Sequence, residues 1–215
     1  PTVDAPPDSG ASYYRNVESF GMVLPAARLA RIRSLRLPVT PGGAANADRR
    51  WPLVLFVHGW QSRSDAYGLL MMELASHGHV IAAVDQPWQG RVVLADGSVT
   101  GAREDQFTDP MAMIAYYGAD VSAVIDRVLR EPALADRIDS TRIAVVGHSN
   151  GALSALTAGR DDPRVTGVVS LNGWDPAFGE IFAPTQPTLL LRTPTEAAMT
   201  DAWLARQTQA SEAVL

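Results

Sequence analysis

The pentapeptide Gly-His-Ser-Asn-Gly at residues 147–151 has the residue types and spacing of a turn that exposes a nucleophilic serine. An apolar run at residues 143–146 precedes it, and a helical pattern over residues 150–158 follows it. In this setting glycines let the backbone pack closely around the turn, and the helix N-terminus favours developing negative charge. The pattern predicts that Ser149 is a nucleophile; the alternative is a glycine-rich turn that only joins a strand to a helix.

A second motif, His58-Gly59-Trp60, directly follows the apolar run at residues 52–57. Acyl transfer to a serine needs hydrogen-bond donors for the oxyanion of the tetrahedral intermediate. One donor is expected from the backbone N–H of Asn150, which follows the serine, and the N–H of Trp60 is the natural candidate for the other. His58 is expected to hold this loop, because its place in the chain does not suit a general base.

The elements that must position these residues alternate between strands and helices. Apolar runs typical of strands buried on both faces lie at residues 52–57, 80–85, 142–146, 165–171 and 188–191. Helical patterns lie at residues 65–76, 109–128, 150–158 and 196–207. This alternation predicts an α/β fold with a doubly wound, mostly parallel sheet.

Further segments complete the predicted organisation. Residues 34–39 suggest an edge strand, since they contain Pro38. Residues 86–106 are an irregular insertion at the carboxyl edge of the sheet, where ligands bind in open α/β folds. Residues 1–30 are interpreted as an N-terminal arm and leading segment, and residues 31–215 as a single domain.

The motifs at residues 147–151 and 58–60, with the string LASHGHVIAAV at residues 74–84, resemble the α/β-hydrolase superfamily. Within it they resemble polyester hydrolases and cutinase-like esterases, chlorophyllases and the platelet-activating-factor acetylhydrolase group. The resemblance covers residues 35–191 and implies a serine carboxylic-ester hydrolase that works through an acyl-enzyme. It assigns Ser149 as nucleophile and the amides of Trp60 and Asn150 to the oxyanion hole.

The triad acid is less directly indicated. The position most like the acid of the acetylhydrolase and chlorophyllase groups is Asn172, which cannot carry the charge that stabilises an imidazolium. Asp175 is the nearest carboxylate and is the predicted acid, although it could instead cap a turn. In the commoner layout the acid follows the next strand, which would offer Glu196 or Asp201.

No histidine follows Ser149, although the order on this fold is serine, acid, histidine. Since a serine without a base is a weak nucleophile, we expect a histidine outside this chain, in a separate C-terminal fragment or a second chain. The sheet is correspondingly expected to lack its last strand, the histidine loop and a closing helix, with residues 208–215 helix-like. Two alternatives stay open: a catalytically inactive hydrolase-fold protein that binds a ligand, and a recruited base such as His148 or His79.

Three tryptophans, Trp60, Trp88 and Trp174, are predicted at the same edge of the sheet, and Trp88 and Trp174 are candidate substrate-binding residues. Together they favour an apolar cleft for a hydrophobic or aromatic ester, small or polymeric. Any one of them could instead be a half-buried aromatic at a strand end. Amide, thioester and carbon–carbon bond hydrolysis stay open, because the same triad serves them.

The composition excludes several other classes of function. The 215 residues carry a net charge of −5 with scattered arginines, which does not favour nucleic acid as a partner. The absence of cysteine excludes a thiol nucleophile, and no apolar run reaches the length of a membrane span. Neither a metal nor a cofactor is predicted, since no ligand spacing or dinucleotide motif is present. The chain begins at Pro1, which we interpret as processing or trimming of a secreted or periplasmic protein.

Overall fold

The computed structural model describes residues 25–34, 38–40, 43, 46–94, 96, 98–107, 109–173, 185–194 and the backbone of 210–214. Its strands are β1 (Trp51–Val57), β2 (Val80–Val84), β3 (Val92–Val93), β4 (Val99–Thr100), β5 (Ile138–His148), β6 (Val165–Leu171), β7 (Thr188–Arg192) and β8 (Ala210–Val214). Its α-helices are α1 (Ala26–Ser34), α2 (Gly68–Ser76), α3 (Pro110–Leu129) and α4 (Asn150–Asp161).

Six of these strands form one parallel sheet in the order β2-β1-β5-β6-β7-β8, and β3 and β4 form a separate antiparallel pair. The register pairs Val57 with both Val84 and Gly147, so β1, β2 and β5 end at the same level. On the other side of β5, Leu171 pairs with His148 and with Leu191. The segments that follow these strands therefore meet at one carboxyl edge.

Helices cover both faces of the sheet, because the central strands bury apolar side chains on both sides. On one face Leu53, Leu55 and Val57 of β1 belong to a core completed by α3 and α4. On the other face Val54 and Phe56 pack against residues of α2 and the 3-10 turn before it. Burying each such side chain stabilises the fold by about 1.5–3 kcal/mol.

Most of the predicted elements are confirmed. All five strands predicted from continuous apolar runs are present, and β5 begins earlier than expected, at Ile138. Helix α3 begins after Asp109, whose side chain accepts a hydrogen bond from the Met111 amide at 2.9 Å. The helix predicted from Asp65 is split into a 3-10 turn at Ser64–Tyr67 and α2.

Two expectations about the ends of the sheet are wrong. Within the segment expected to be helix-like, residues 210–214 instead form β8, which pairs in parallel with β7. The strand that was expected to be missing is therefore present, and it supplies partners for backbone groups that β7 would otherwise leave open. A segment of five residues is too short for its periodicity to separate a strand from a helix.

The strand predicted at residues 34–39 is also not observed in the described residues. Ser34 is the last residue of α1, and Pro38 and Val39 lie outside any strand; residues 35–37 are outside the described part. Helix α1 spans the predicted boundary between residues 30 and 31. The helix predicted at residues 196–207 lies outside the described residues. In the described part of the chain, no helix combines the length and apolarity needed to cross a membrane.

Candidate active site

Ser149 occupies a sharp turn between the end of β5 and the start of α4. Its backbone has φ 52° and ψ −124°, a conformation that L-residues rarely adopt and that costs on the order of 1–3 kcal/mol. The turn is held to the neighbouring strand because the Ser149 amide donates to the carbonyl oxygen of Leu171 at 2.9 Å. A strained serine held in this way, at a helix N-terminus, has the geometry of a nucleophile elbow.

The two glycines of the motif allow the turn to pack tightly. A Cβ on Gly147 would lie 2.1 Å from the carbonyl oxygen of Gly151. A Cβ on Gly151 would lie 2.4 Å from the carbonyl oxygen of His58. Only glycine fits at either position, and this close approach brings the start of α4 against the loop that follows β1.

The loop after β1 also touches the serine directly. A Cβ on Gly59 would lie 3.1 Å from the Cβ of Ser149. The Gly59 carbonyl accepts hydrogen bonds from His58 Nδ1 at 2.8 Å and from the Ser62 amide at 3.1 Å. Because this peptide is trans, the N–H of Trp60 on the same peptide points away from those two donors.

The amides predicted to form the oxyanion hole are both unused within the described ranges. Neither the Trp60 N–H nor the Asn150 N–H donates a hydrogen bond to another described residue. Asn150 is the first residue of α4, where backbone N–H groups have no partner inside the helix. Two backbone donors that bind no described residue therefore lie close to Ser149, one on the loop after β1 and one at the start of α4.

His58 is wholly buried and is engaged by both of its ring nitrogens. Its Nε2 accepts from the Gln86 amide at 3.3 Å, so the proton is assigned to Nδ1, which donates to the Gly59 carbonyl. Burial lowers the pKa of His58 below its usual value, which favours the neutral ring. These contacts fit the interpretation of His58 as the residue that holds the loop.

The other three histidines each use Nδ1 in a hydrogen bond to a described residue. His77 and His79 both pair through Nδ1 with carbonyl oxygens at the end of α2, at 2.9 Å each. His148 pairs through Nδ1 with the hydroxyl of Tyr67 at 2.8 Å, and burial lowers the pKa of its ring. The two histidines considered as recruited bases, His79 and His148, thus each use one ring nitrogen in supporting structure.

Of the candidate acid positions, only Asn172 lies in the described part. It follows β6 with φ 47°, its amide donates to the Leu191 carbonyl at 2.8 Å, and its Oδ1 accepts from the Thr193 amide at 3.2 Å. Asn172 therefore joins the ends of β6 and β7 at the same sheet edge as Ser149. The other candidates and one predicted substrate-binding residue lie outside the described residues: Asp175, Glu196, Asp201 and Trp174.

The insertion after β2 carries the remaining predicted residue, Trp88, which has φ 64°. Its ring centroid is 6.2 Å from that of Tyr116, which is 5.3 Å from Phe107 and 5.5 Å from Tyr117. We call these four residues the aromatic cluster. Phe107 and Tyr116 were not predicted from the sequence, in which the doublet of tyrosines at residues 116–117 was the available signal.

Gln89, also not predicted from the sequence, is wholly buried between the serine turn and the loop after β1. Nothing in its local sequence distinguishes it, since glutamine in an irregular insertion is usually exposed. Within the described ranges, no three histidine, aspartate or glutamate side chains are grouped so as to hold a metal ion.

The sequence matches the models of two known protein families. The model of the "Alpha/beta hydrolase family" matches residues 54–214, and that of "Platelet-activating factor acetylhydrolase, isoform II" matches residues 10–89. The platelet-activating factor acetylhydrolase of Canis lupus familiaris is 23% identical over 173 residues, which cover 66% of this chain and 39% of that protein. The same enzyme of Bos taurus is 24% identical over 183 residues, which cover 70% of this chain and 41% of that protein. The chain thus spans about two fifths of the length of these relatives.

Solved structures share the fold. A ferulic acid esterase from Streptomyces cinnamoneus superimposes with a TM-score of 0.75 and 24% identity, over 100% of this chain and 62% of that one. The 2,6-dihydroxy-pseudo-oxynicotine hydrolase superimposes with a TM-score of 0.57 and 18% identity, over 83% of this chain and 55% of that one. Because the first family model covers more than half of the residues, the chain belongs to the alpha/beta hydrolase family.

Proposed function

We propose that this protein is a serine carboxylic-ester hydrolase that works through an acyl-enzyme formed on Ser149. The observation that carries the proposal is the strained turn of Ser149, with φ 52°, packed against a loop whose Trp60 amide donates to no described residue. Backbone strain of this kind persists where the surrounding structure holds it and is concentrated at active sites.

In the proposed reaction, Ser149 Oγ attacks the carbonyl carbon of the ester while its proton passes to a general base. The carbonyl oxygen becomes an oxyanion that accepts hydrogen bonds from the amides of Trp60 and Asn150. The C–O bond to the alcohol then breaks, and the base returns the proton to the departing oxygen. Water, deprotonated by the same base, attacks the acyl carbon and releases the acid and the free serine.

We propose that the general base is a histidine outside residues 1–215. This is supported by the structural hydrogen bonds that all four histidines in the chain make through Nδ1. The resemblance to serine esterases places a histidine loop after the last strand, and β8 is the last strand in the described part of the chain. The base could belong to the same polypeptide or to a second one. The acid stays a prediction, with Asp175 ahead of Glu196 and Asp201.

The proposed substrate is a hydrophobic or aromatic ester, small or polymeric. It is supported by the aromatic cluster at the carboxyl edge of the sheet, in which Trp88 and the half-exposed Tyr116 are 6.2 Å apart. The name of the structural neighbour from Streptomyces cinnamoneus, a ferulic acid esterase, agrees with an aromatic acyl group. A contribution of Trp174 to the same cleft, and a secreted or periplasmic location, stay predictions.

The test is hydrolysis of p-nitrophenyl acetate and p-nitrophenyl benzoate by the full-length protein and by its Ser149→Ala variant. We expect turnover by the wild type and a loss of at least about 10³-fold in kcat in the variant, because the nucleophile is removed. Retention of either ester without turnover, unchanged by Ser149→Ala, would instead support the catalytically inactive ligand-binding protein.

A further inference from the structure

Gln89 joins the two segments that carry the proposed oxyanion donors. Its side-chain Nε2 donates to the carbonyl oxygen of His58 at 2.6 Å, and its Oε1 accepts from Nδ2 of Asn150 at 2.6 Å. His58 precedes the loop amide of Trp60 by two residues, and Asn150 carries the other donor in its own backbone. One buried side chain from a third segment, the insertion after β2, therefore spans both halves of the site.

The orientation of this amide follows from its partners. A backbone carbonyl can only accept a hydrogen bond, so the Gln89 atom facing His58 must be the NH2 group. The atom facing Asn150 is then the Gln89 carbonyl oxygen, which in turn requires the NH2 group of Asn150. A flipped Gln89 amide would place its oxygen against the His58 carbonyl oxygen, and a flipped Asn150 amide would place its oxygen against the Gln89 oxygen. The two hydrogen bonds therefore fix the orientation of both side-chain amides.

The backbone of Gln89 adds a further link to the loop. Its carbonyl oxygen accepts from the amide of Gln61 at 2.7 Å. Gln89 thus contacts the chain before Trp60, through the His58 carbonyl, and directly after it, through the Gln61 amide. The peptide that presents the Trp60 N–H is held on both sides by one residue.

The surroundings of Gln89 keep it in place. Gly90 has no space for a side chain, since a Cβ there would lie 2.0 Å from the carbonyl oxygen of Ser62. On the other side, Trp88 is held with φ 64°, and its carbonyl accepts from the Arg103 amide at 2.8 Å. A residue fixed between a strained neighbour and a tightly packed one is suited to setting a distance rather than to adapting to a ligand.

We propose that Gln89 is a positioning residue that sets the separation of the Trp60 and Asn150 amides, and so the fit of the oxyanion hole to the transition state. This inference rests on the proposed function, and it adds a residue that acts through the donors without touching the substrate. A hydrogen bond to the oxyanion strengthens as negative charge develops in the transition state. Loss of Gln89 is therefore expected to lower kcat rather than to change KM.

The first variant to test is Gln89→Ala in the full-length protein, with p-nitrophenyl acetate. We expect kcat to fall by about 10–100-fold with KM changed by less than about threefold, since a misplaced donor costs less than the 10²–10³-fold of a deleted one. The matched control is Gln86→Ala, which removes an equally buried glutamine whose Nε2 donates to the Tyr117 carbonyl at 2.8 Å. The control is expected to lower the melting temperature without a comparable loss of kcat.

The second variant, Gln89→Glu, has a side chain of nearly the same size and shape as glutamine. It makes kcat depend on pH in a way that a purely structural role of Gln89 would not. An ionised glutamate cannot donate to the His58 carbonyl, whereas a protonated one donates there and still accepts from Asn150. We expect the ratio of variant to wild-type kcat to rise as the pH is lowered from 8 to 5.

Comparing the two proteins at each pH removes effects that they share. The titratable and charged groups around this position act in both proteins: the ring of His58 and, near it, Asp65, Asp85 and Arg63. A pH-independent ratio would overturn the proposal, as would wild-type kcat in Gln89→Ala. If Ser149→Ala abolishes hydrolysis while both Gln89 variants remain fully active, only this inference fails; if Ser149→Ala remains active, the proposed function fails.

Discussion

Gly173 and Ser149 are packed so closely that a Cβ on Gly173 would lie 2.1 Å from the carbonyl oxygen of Ser149. The segment after β6 therefore lies directly behind the serine turn, and the turn is bonded to β6 through the Leu171 carbonyl. The strained conformation of Ser149 is thus supported by a closely packed and hydrogen-bonded neighbour on the sheet. This contact makes the turn sensitive to a single added methyl group.

We expect Gly173→Ala to destabilise the fold by about 1–3 kcal/mol and to lower kcat, because the backbone of Ser149 must move to admit the methyl group. Gly167→Ala is the matched control on β6, since its Cβ would meet only the Pro187 carbonyl at 3.8 Å. Urea unfolding and p-nitrophenyl acetate hydrolysis measure both effects. Equal stability and kcat in the two variants would show that the contact does not support the turn.

A second prediction separates the Trp60 amide from the Trp60 ring. Trp60→Pro removes the N–H, and we expect kcat to fall by about 10²–10³-fold, as for loss of an oxyanion donor. Trp60→Ala keeps the N–H and is expected to change mainly KM. A proline restricts the residue before it to extended backbone conformations, and that residue is Gly59, which can adopt them. If kcat is the same in the two variants and both have wild-type thermal stability, the Trp60 amide is not a donor.

The third prediction concerns pH and His58. Burial lowers the pKa of His58 in the folded protein, so the unfolded chain takes up the proton first as the pH falls. Stability is therefore complete above the unfolded value of about 6.5 and is lost as the pH falls towards the lowered pKa. We expect the free energy of unfolding to decline between pH 7 and pH 5, and His58→Asn to weaken this decline. The pKa of His148 is also lowered by burial, so part of the decline remains in that variant.

The control for this measurement is His77→Asn, which removes a histidine whose side chain is 69% exposed. Urea unfolding at a series of pH values gives the free energies for all three proteins. An equal pH dependence in the wild type and in His58→Asn would contradict the assignment of a buried, neutral His58.

The fourth prediction concerns Trp88 and uses two substitutions. Both Trp88→Ala and Trp88→Gly remove the ring from the aromatic cluster, and we expect each to lower kcat/KM for the benzoate ester about tenfold more than for the acetate ester. Only the glycine variant relieves the left-handed backbone, so it should be about 1 kcal/mol more stable than the alanine variant. Unchanged ester selectivity would place the substrate elsewhere, and a more stable alanine variant would contradict the backbone strain.

Sequence patterns predicted the central part of this fold well. Continuous apolar runs such as residues 52–57 have few interpretations other than strands buried on both faces, and residues 109–128 carry a long helical stripe with a capping Asp109. The sheet edge formed by β8 was predicted poorly for a physical reason. Strand β8 has no long apolar run, and it is recognisable only through its pairing with β7.

The candidate site likewise has one part that could be predicted from local sequence and one part that could not. The turn at residues 147–151 and the loop at residues 58–60 carry local chemical signals, because glycine spacing reports backbone that packs closely. Gln89 and the rings of Phe107 and Tyr116 act through contacts between segments distant in the chain. Such contacts depend on tertiary packing, which no local spacing encodes.

The most direct test of the central claim, that Ser149 is the nucleophile, is covalent labelling of the full-length protein with a fluorophosphonate probe, followed by peptide mass spectrometry. We expect one adduct, on the peptide that contains Ser149, and none in Ser149→Ala. No adduct on the wild-type protein, or an adduct that persists in Ser149→Ala, would contradict it.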